Sequence, residues 1–209
     1  NVAVSGTAAI TTNTTGNNAT MNISQTTTRA IIEWNTFNVG SGATVNFLQP
    51  GADAIALNRV VGSELSTIAG HINANGSIIL INPNGMLFAD GATVNAAGII
   101  ASTANITNDN FNAGKMIFEQ NKDQNANITL QSGATLKAET NGSYVNAMHK
   151  AAADWNTNEA TKTNPLADSV LNTIAIKPAT GFSMANNRIY LVADGDITKS
   201  ASSYCTGHG

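Results

Sequence analysis

The stretch IILINPNGMLFADGATVNAAGIIAST, residues 78–103, decides the fold of this chain. Its short apolar runs are rich in Ile and Val, and each is closed by Asn, Pro, Asp or Gly. Such runs, separated by turn residues, are typical of very short buried strands. A helix is excluded here because Pro83 and Gly85 interrupt any helical pattern. The chain therefore turns a corner roughly every ten residues, which indicates a coiled sheet.

The segments on both sides share this rhythm, and one motif repeats. The sequence GATVN at 42–46 recurs at 91–95 and, as GATLK, at 133–137. We interpret each separation as about two turns of a unit somewhat over twenty residues long, which predicts a β-solenoid. The residues predicted to face its interior are Val45, Phe47, Ile55, Leu57, Ile78, Leu80, Val94 and Ile128. Trp34 and Phe37 are also expected in the core.

Composition narrows the function classes. The 209 residues suit one domain, and only 11% of them are charged, with a formal net charge of −3. Lys and Arg are few and scattered, so nucleic acid is excluded as a partner. The single cysteine excludes an internal disulfide. No apolar run is long enough to span a membrane.

The chain divides into four parts within this single domain. Residues 1–28 are predicted to form an N-terminal cap of one or two edge strands, since a bare strand edge pairs with other chains. Residues 29–142 are predicted to form β-helix coils. Residues 143–173 have a helical composition and are predicted to be a helical or irregular insertion. Within it, Asn164 and Pro165 offer an N-cap and a first-turn proline for a short helix that ends near Asn172. Residues 174–209 are expected to form further coils and an open C-terminal end.

Several motifs occur together in a fixed order. They are Trp34, FNVG at 37–40, VNFLQ at 45–49, LNRV at 57–60, LINPNGM at 80–86, GIIAST at 98–103 and FEQNKD at 118–123. In this order the chain resembles the N-terminal secretion domain of two-partner-secretion exoproteins, the filamentous-haemagglutinin-type family. FEQNKD makes it more similar to the high-molecular-weight adhesin branch. The chain lacks the NPNL motif of the haemagglutinin branch, and Met86 stands where the family usually has Ile.

The resemblance implies a right-handed parallel β-helix. It also implies that the exoprotein is secreted through the periplasm and the outer membrane of a Gram-negative cell to its surface. The implied partner is the periplasmic part of an outer-membrane TpsB-type transporter. We expect a monomer, and we expect any host-surface receptor to bind the rest of the exoprotein.

The implied site residues are Asn82, Pro83, Asn84, Gly85 and Met86, together with Asn58 and Arg59. The residues of the NPNG block are those of a tight turn, in which Pro fixes φ, Asn side chains bond to the backbone and Gly allows positive φ. We therefore interpret the block first as a structural corner. Direct contact with the transporter is the alternative.

Candidate chemical groups give no catalytic, cofactor or metal site. Asp194 and Asp196 could form the acid pair of a polysaccharide-cleaving enzyme, but the sequence DGD is also a common turn. The three histidines are separated from one another, and Cys205 with His208 lacks a second ligand pair. We therefore predict a non-enzymatic secretion domain of a surface adhesin that initiates β-helix folding outside the cell. The alternatives are a β-helical carbohydrate-active enzyme and a passive structural stalk.

Overall fold

The computed structural model describes residues 2–119, 126–138, 171–174, 180–182, 189–192, 197–199 and 204–207. In this part of the chain the protein is a solenoid of stacked β-coils, about four turns long. The predicted all-β solenoid is thereby confirmed. Its handedness stays a prediction.

The described residues form short strands and one helix. In the first half these are β1 (Val2–Ser5), β2 (Ala8–Thr15), β3 (Asn18–Gln25), β4 (Arg29–Trp34), β5 (Ala43–Leu48), β6 (Ile55–Val60), β7 (Ser66–Ile68), β8 (His71–Ala74), β9 (Ser77–Ile81), β10 (Met86–Phe88), β11 (Thr93–Ala96) and β12 (Gly98–Ser102). They are followed by β13 (Asn105–Ile106), α1 (Asn108–Asn112), β14 (Met116–Glu119), β15 (Ile128–Leu130), β16 (Thr135–Ala138), β17 (Leu171–Ile174), β18 (Thr180–Phe182), β19 (Ile189–Val192), β20 (Ile197–Lys199) and β21 (Tyr204–Gly207).

Three sheets form the walls of the solenoid. Sheet A has the order β1-β4-β6-β9-β12-β19-β17, sheet B has β2-β3-β5-β8-β11-β16-β21, and sheet C has β20-β15-β10-β7. A coil passes from sheet A to sheet C to sheet B, as β6, β7 and β8 do, and the next coil, β9 to β11, pairs beside it in parallel. A fourth sheet, sheet D, has the order β13-β14-β18 and is antiparallel.

The N-terminal strands end the parallel stack. β1 pairs antiparallel with β4, and β2 pairs antiparallel with β3, whereas β3 is already parallel to β5. Three strands therefore precede residue 28, where the sequence predicted one or two. The division of the chain at residue 28 stays a prediction.

The interior of the coils is lined by all three walls. Ile78 and Leu80 of sheet A, Val45 and Phe47 of sheet B, and Ile128 of sheet C belong to one buried cluster. Val94, Trp34 and Phe37 belong to it as well, as predicted. The Trp34 and Phe37 rings meet edge to face at a centroid distance of 5.0 Å.

A second buried cluster lies on the outer face of sheet A. It contains Ile31, Ile55, Leu57, Ile79, Ile81 and Ile100, together with Phe111, Met116 and Phe118 of the segment from β13 to β14. The prediction that Ile55 and Leu57 face the coil interior is therefore wrong. Every residue of β6 is buried, because sheet A is covered on both faces, and in such a strand the apolar pattern does not reveal which face is inside.

The covering segment differs from the coils on either side of it. The sequence predicts coils throughout residues 29–142, but β14 within this range pairs antiparallel with β13 and packs outside the solenoid. The short helix α1 precedes it, with Thr107 as N-cap accepting a hydrogen bond from Asn110 N.

The covering segment also accounts for part of the spacing between the copies of the sequence repeat. β8 separates the first two copies, but β11 and β16 are direct neighbours, so the second separation is one coil plus the covering segment.

The predicted insertion at 143–173 falls mostly outside the described residues, which exclude 139–170. Its last residues, from Leu171 onward and including Asn172, lie in strand β17. β17 forms the edge of sheet A, and β19 lies between it and β12. The extent of the insertion and its helical character stay predictions.

The outer face of sheet B carries a ladder of asparagines. Asn22, Asn46, Asn73 and Asn95 occupy equivalent positions in successive strands. Each of the last three donates its side-chain amide to the Oδ1 of the residue before it, at 2.9–3.2 Å. Stacked neutral amides satisfy one another, whereas stacked like charges would repel.

Candidate functional site

The NPNG block forms the corner between β9 and β10. The Gly85 N–H donates to the Asn82 carbonyl at 3.0 Å and closes a β-turn. Gly85 has a φ of +105°, which side-chain-bearing residues rarely adopt. A Cβ at Gly85 would also lie 2.8 Å from the Asn127 carbonyl oxygen of the next coil. The glycine is therefore required both by the turn and by the close approach of the neighbouring backbone.

Asn82 connects the corner to the preceding coil. Its side chain is buried, with a relative exposure of 1%. The Nδ2 group donates to the Glu64 carbonyl and to Ser66 Oγ, both at 2.9 Å. Its Oδ1 accepts from the backbone and side-chain amides of Asn84, both at 2.9 Å. All the polar atoms of this buried amide therefore have partners, as a buried polar group requires.

Asn84 adds a second bond to the same preceding loop. It is half-buried, and its Nδ2 donates to the Gly62 carbonyl at 2.8 Å. The amides of Asn82 and Asn84 therefore hold two carbonyls of residues 61–65, which we call loop 61–65. Both bonds join a side-chain amide to the backbone of the preceding coil.

Met86 begins the next strand and faces inward. It is 3% exposed, and its N–H donates to the Asn127 carbonyl at 3.0 Å. An interior void of about 10 Å³ lies beside it and is also lined by Phe37, Asn58 and Asn82. A void of this size holds one water at most. Packed side chains therefore fill the interior beneath the corner and leave no room for a ligand.

Asn58 lies inside the solenoid. It is 1% exposed, and its Oδ1 accepts a hydrogen bond of 3.1 Å from Trp34 Nε1. Its Nδ2 donates to the Ala56 carbonyl at 3.3 Å and to the Ile79 carbonyl at 3.5 Å. A buried amide or indole N–H without a hydrogen-bond partner costs free energy. Trp34 and Asn58 therefore satisfy each other's polar groups inside the core.

Arg59, the next residue, points to the opposite side of sheet A. Its guanidinium forms an ion pair with Glu33 at 3.1 Å. It also donates to Asn105 Oδ1, Asn108 Oδ1 and the Ile106 carbonyl at 2.6–2.9 Å. Arg59 thus fastens the segment containing β13 and α1 to the outer face of sheet A.

A second arginine supports the same segment. Arg29 donates to the Phe111 carbonyl at 3.1 Å, and its guanidinium carbon lies 5.5 Å from the centre of the Phe111 ring. Burial lowers the pKa of Arg29 below its ordinary value. Both arginines therefore act between the solenoid and its covering segment.

The predicted site residues thus occupy three environments. Asn58 and Met86 are interior, Arg59 is at the covered outer face, and Asn82–Gly85 forms the corner between them. An open groove of about 690 Å³ brings part of the set together at the surface. It is lined by Arg59, Val60, Val61, Gly62, Ser63, Pro83, Asn84 and Asn105.

Comparison with known proteins identifies the family to which this corner and solenoid belong. The model of the TPS secretion domain matches residues 1–201. The chain belongs to the TPS secretion domain family. The resemblance seen in the sequence is therefore confirmed.

The solved HMW1 secretion domain from Haemophilus influenzae is similar to this TPS secretion domain. The two share 35% identity with a TM-score of 0.58, over 65% of this chain and 35% of that one. Two curated proteins named heme/hemopexin-binding protein, from Haemophilus influenzae and from its strain Rd, are each 42% identical over 86 residues. That match covers 41% of this chain but only about a tenth of either relative.

As a TPS secretion domain, the chain directs export of an exoprotein through the outer membrane to the cell surface or the extracellular space. No helix among the described residues is long and apolar enough to cross a membrane. Within those residues no group of three or more His, Cys, Asp or Glu side chains could hold a metal ion.

Most of the acids and histidines considered in the sequence are not among the described residues of this TPS secretion domain. Asp194, Asp196, His149 and His208 lie outside the described residues. Cys205 is in β21, and His71 contacts Thr93 Oγ1 through Nδ1 at 2.6 Å on the outer face of sheet B.

Sequence reasoning missed the partners of the motif. Loop 61–65 receives the amides of Asn82 and Asn84, and Asn105 and Asn108 receive Arg59. The contacts with loop 61–65 use main-chain carbonyls, which every residue type has, so the sequence cannot reveal them. The only available signal was that the polar break VGSEL at 61–65 lies at the corner one coil before NPNG.

Proposed function

We propose that the periplasmic domains of a TpsB-type outer-membrane transporter recognise this domain, and that the domain then initiates β-helix folding outside the cell. One observation carries the proposal. The NPNG corner bonds to the preceding coil through Glu64 and Gly62, and the N–H groups of Asn82 and the adjacent Met86 donate to the carbonyls of Ser102 and Asn127 in the following coil. A corner that joins successive coils in this way makes each coil a template for the next.

The energetics of stacking suit folding without an external energy source. Each added coil buries apolar side chains, which stabilises the stack by about 25 cal/mol per Å² of apolar surface. In a repeat structure, folding begins at one unit and propagates through nearest-neighbour contacts. Growth of the stack outside the cell would therefore draw the following chain outward.

The domain acts without catalysis, cofactor or metal, and as a monomer. Ligand or receptor binding belongs to other parts of the exoprotein. Heme and hemopexin binding is a property named for the two curated relatives, and the matched segment is a small part of them. The adhesin role of the whole exoprotein is likewise part of this proposal.

Secretion tests the proposal directly. The domain is expressed with and without its transporter, and the culture medium is assayed for folded, protease-resistant protein. Release that depends on the transporter supports the proposal. Equal release in both strains, or none in either, overturns it. A passive stalk would be released from neither strain, because it carries no recognition signal of its own.

The enzyme alternative has a separate test. Replacing both Asp194 and Asp196 with Asn should leave secretion unchanged, and neither protein should cleave polysaccharides. Polysaccharide cleavage by the parent that disappears in the double variant would establish the enzyme instead.

A further inference from the structure

The first strand of sheet B has a long free edge. β2 ends the sheet, and its eight residues pair with β3 at eight consecutive positions without a bulge. Its other edge has no partner among the strands that the structure describes. Such an edge presents a row of backbone N–H and C=O groups that can pair with a strand of another chain.

The edge of β2 lacks the features that usually protect a strand edge, which are charged side chains, proline, a bulge or a very short strand. Residues 1–28 contain no Asp, Glu, Lys, Arg or Pro. The first strand of sheet A differs, because β1 has only four residues and its pairing with β4 is irregular between Ala3 and Ser5. At the N-terminal end of the stack, sheet A is therefore protected and sheet B is not.

The hairpin geometry indicates which groups face the free edge. Thr15 and Asn18 close a two-residue turn, so they form a hydrogen-bonded pair, and every second pair along the hairpin does the same. The backbone N–H and C=O groups of Thr12 therefore point away from β3. The Asn13 side chain is exposed beside this edge.

We infer that the free edge of β2 pairs, after export, with the β2 edge of a second copy of this domain. Because β2 has no charged residue, a second copy places no like charges opposite each other. An antiparallel copy places Thr and Asn side chains opposite Thr and Asn, and such neutral cross-strand pairs are favourable. Both copies contribute the same edge, so the contact is two-fold symmetric and closes at two copies.

The contact is small and forms late. One eight-residue strand from each copy buries less than the roughly 1,600 Å² of a standard protein interface, so free domains associate weakly. In the proposed function each domain is exported as a single unfolded chain, and the free edge exists only after β2 and β3 have paired. Export as a monomer is therefore compatible with pairing at the cell surface, where neighbouring exoproteins raise the effective concentration.

Sedimentation of the purified, folded domain over a range of concentrations tests the inference. The wild type should form a reversible dimer, and no larger species, as its concentration approaches the millimolar range. Asn13→Lys should raise the concentration needed for half-dimerisation at least about tenfold at low salt, because it places like charges near each other across the contact. The matched control is Leu48→Lys, which adds the same charge at an exposed position in β5, an interior strand of sheet B. It should associate like the wild type.

A second variant disrupts the edge without adding charge. Thr12→Pro removes a backbone donor from the free edge and none from the bonds to β3, and it replaces Asn13→Lys if that variant has a lower urea midpoint than the wild type. A wild-type domain that stays monomeric at every concentration overturns the inference, as does a folded edge variant that dimerises like the wild type. Open-ended oligomers would also overturn it, because they require a contact that is not two-fold. None of these results changes the outcome of the secretion test of the proposed function.

Discussion

The Asn84 amide donates to the carbonyl oxygen of Gly62, which lies one coil earlier in the solenoid. Asn82 makes the equivalent bond to Glu64 at 2.9 Å. Two neighbouring side chains thus hold two carbonyls of one loop, and the corner and the loop form a single structural unit.

Replacing both asparagines with alanine should reduce the free energy of unfolding by about 1–3 kcal/mol, because it leaves the part-buried carbonyls of Gly62 and Glu64 and the buried Ser66 hydroxyl without these donors. The urea midpoint of the purified domain measures the change. Asn82→Asp is the matched variant: it keeps an acceptor for the Asn84 amides but loses the donors to Glu64 and Ser66. An unchanged midpoint in the double variant would contradict the structural role of the motif, and an unchanged midpoint with lost binding to the transporter's periplasmic domains would make the motif a recognition signal.

Gly85→Ala should destabilise the domain more than Gly91→Ala. Both glycines have positive φ, so each substitution should cost about 1–2 kcal/mol in backbone strain. At Gly85 the new Cβ also meets the Asn127 carbonyl, whereas nothing lies within 4 Å of a Cβ at Gly91. Thermal melting of the two variants measures the difference, and equal melting temperatures would contradict the close approach at the corner.

The Trp34–Asn58 pair should show energetic coupling. Asn58→Ala leaves the buried indole N–H without a partner and should cost about 1–3 kcal/mol. In a Trp34→Phe background, which lacks that N–H, the same change should cost measurably less. A double-mutant cycle from urea unfolding gives the coupling energy. Strictly additive effects would mean that the hydrogen bond contributes nothing.

Arg59→Met should loosen the covering segment while leaving the coils stacked. The change removes the donor to the buried Ile106 carbonyl, at a cost of about 1–3 kcal/mol. Hydrogen exchange should therefore rise in β13, α1 and β14 but not in sheet C. Glu33→Gln is the control, because Glu33 is 33% exposed and such pairs contribute about 0–1 kcal/mol. Faster exchange throughout the domain would contradict a role confined to the segment.

The sequence predicted the strand rhythm well because strands of sheet B alternate between buried and exposed residues. Val45 and Phe47 could be assigned to the interior on that basis. β6 could not be assigned, since all of its residues are buried and the covering segment that buries Leu57 lies far along the chain. For the site, the turn chemistry of Asn82–Gly85 was readable from the residue types. Its partner loop was not, because the amides bond to carbonyls that any residue could supply.

The asparagine ladder has a consequence for the fidelity of assembly. Its rungs are identical, so a coil placed one rung too far along the axis would still find an amide opposite an amide. The hydrogen bonds of the ladder would therefore be satisfied equally well in the shifted register. Within the coils that the structure describes, the Trp34–Asn58 bond and the clamp of Asn82 and Asn84 on loop 61–65 each occur once along the axis and have no equivalent in a shifted stack. A shift would leave their buried polar groups without partners, and these unrepeated contacts therefore serve as alignment marks for an otherwise periodic structure.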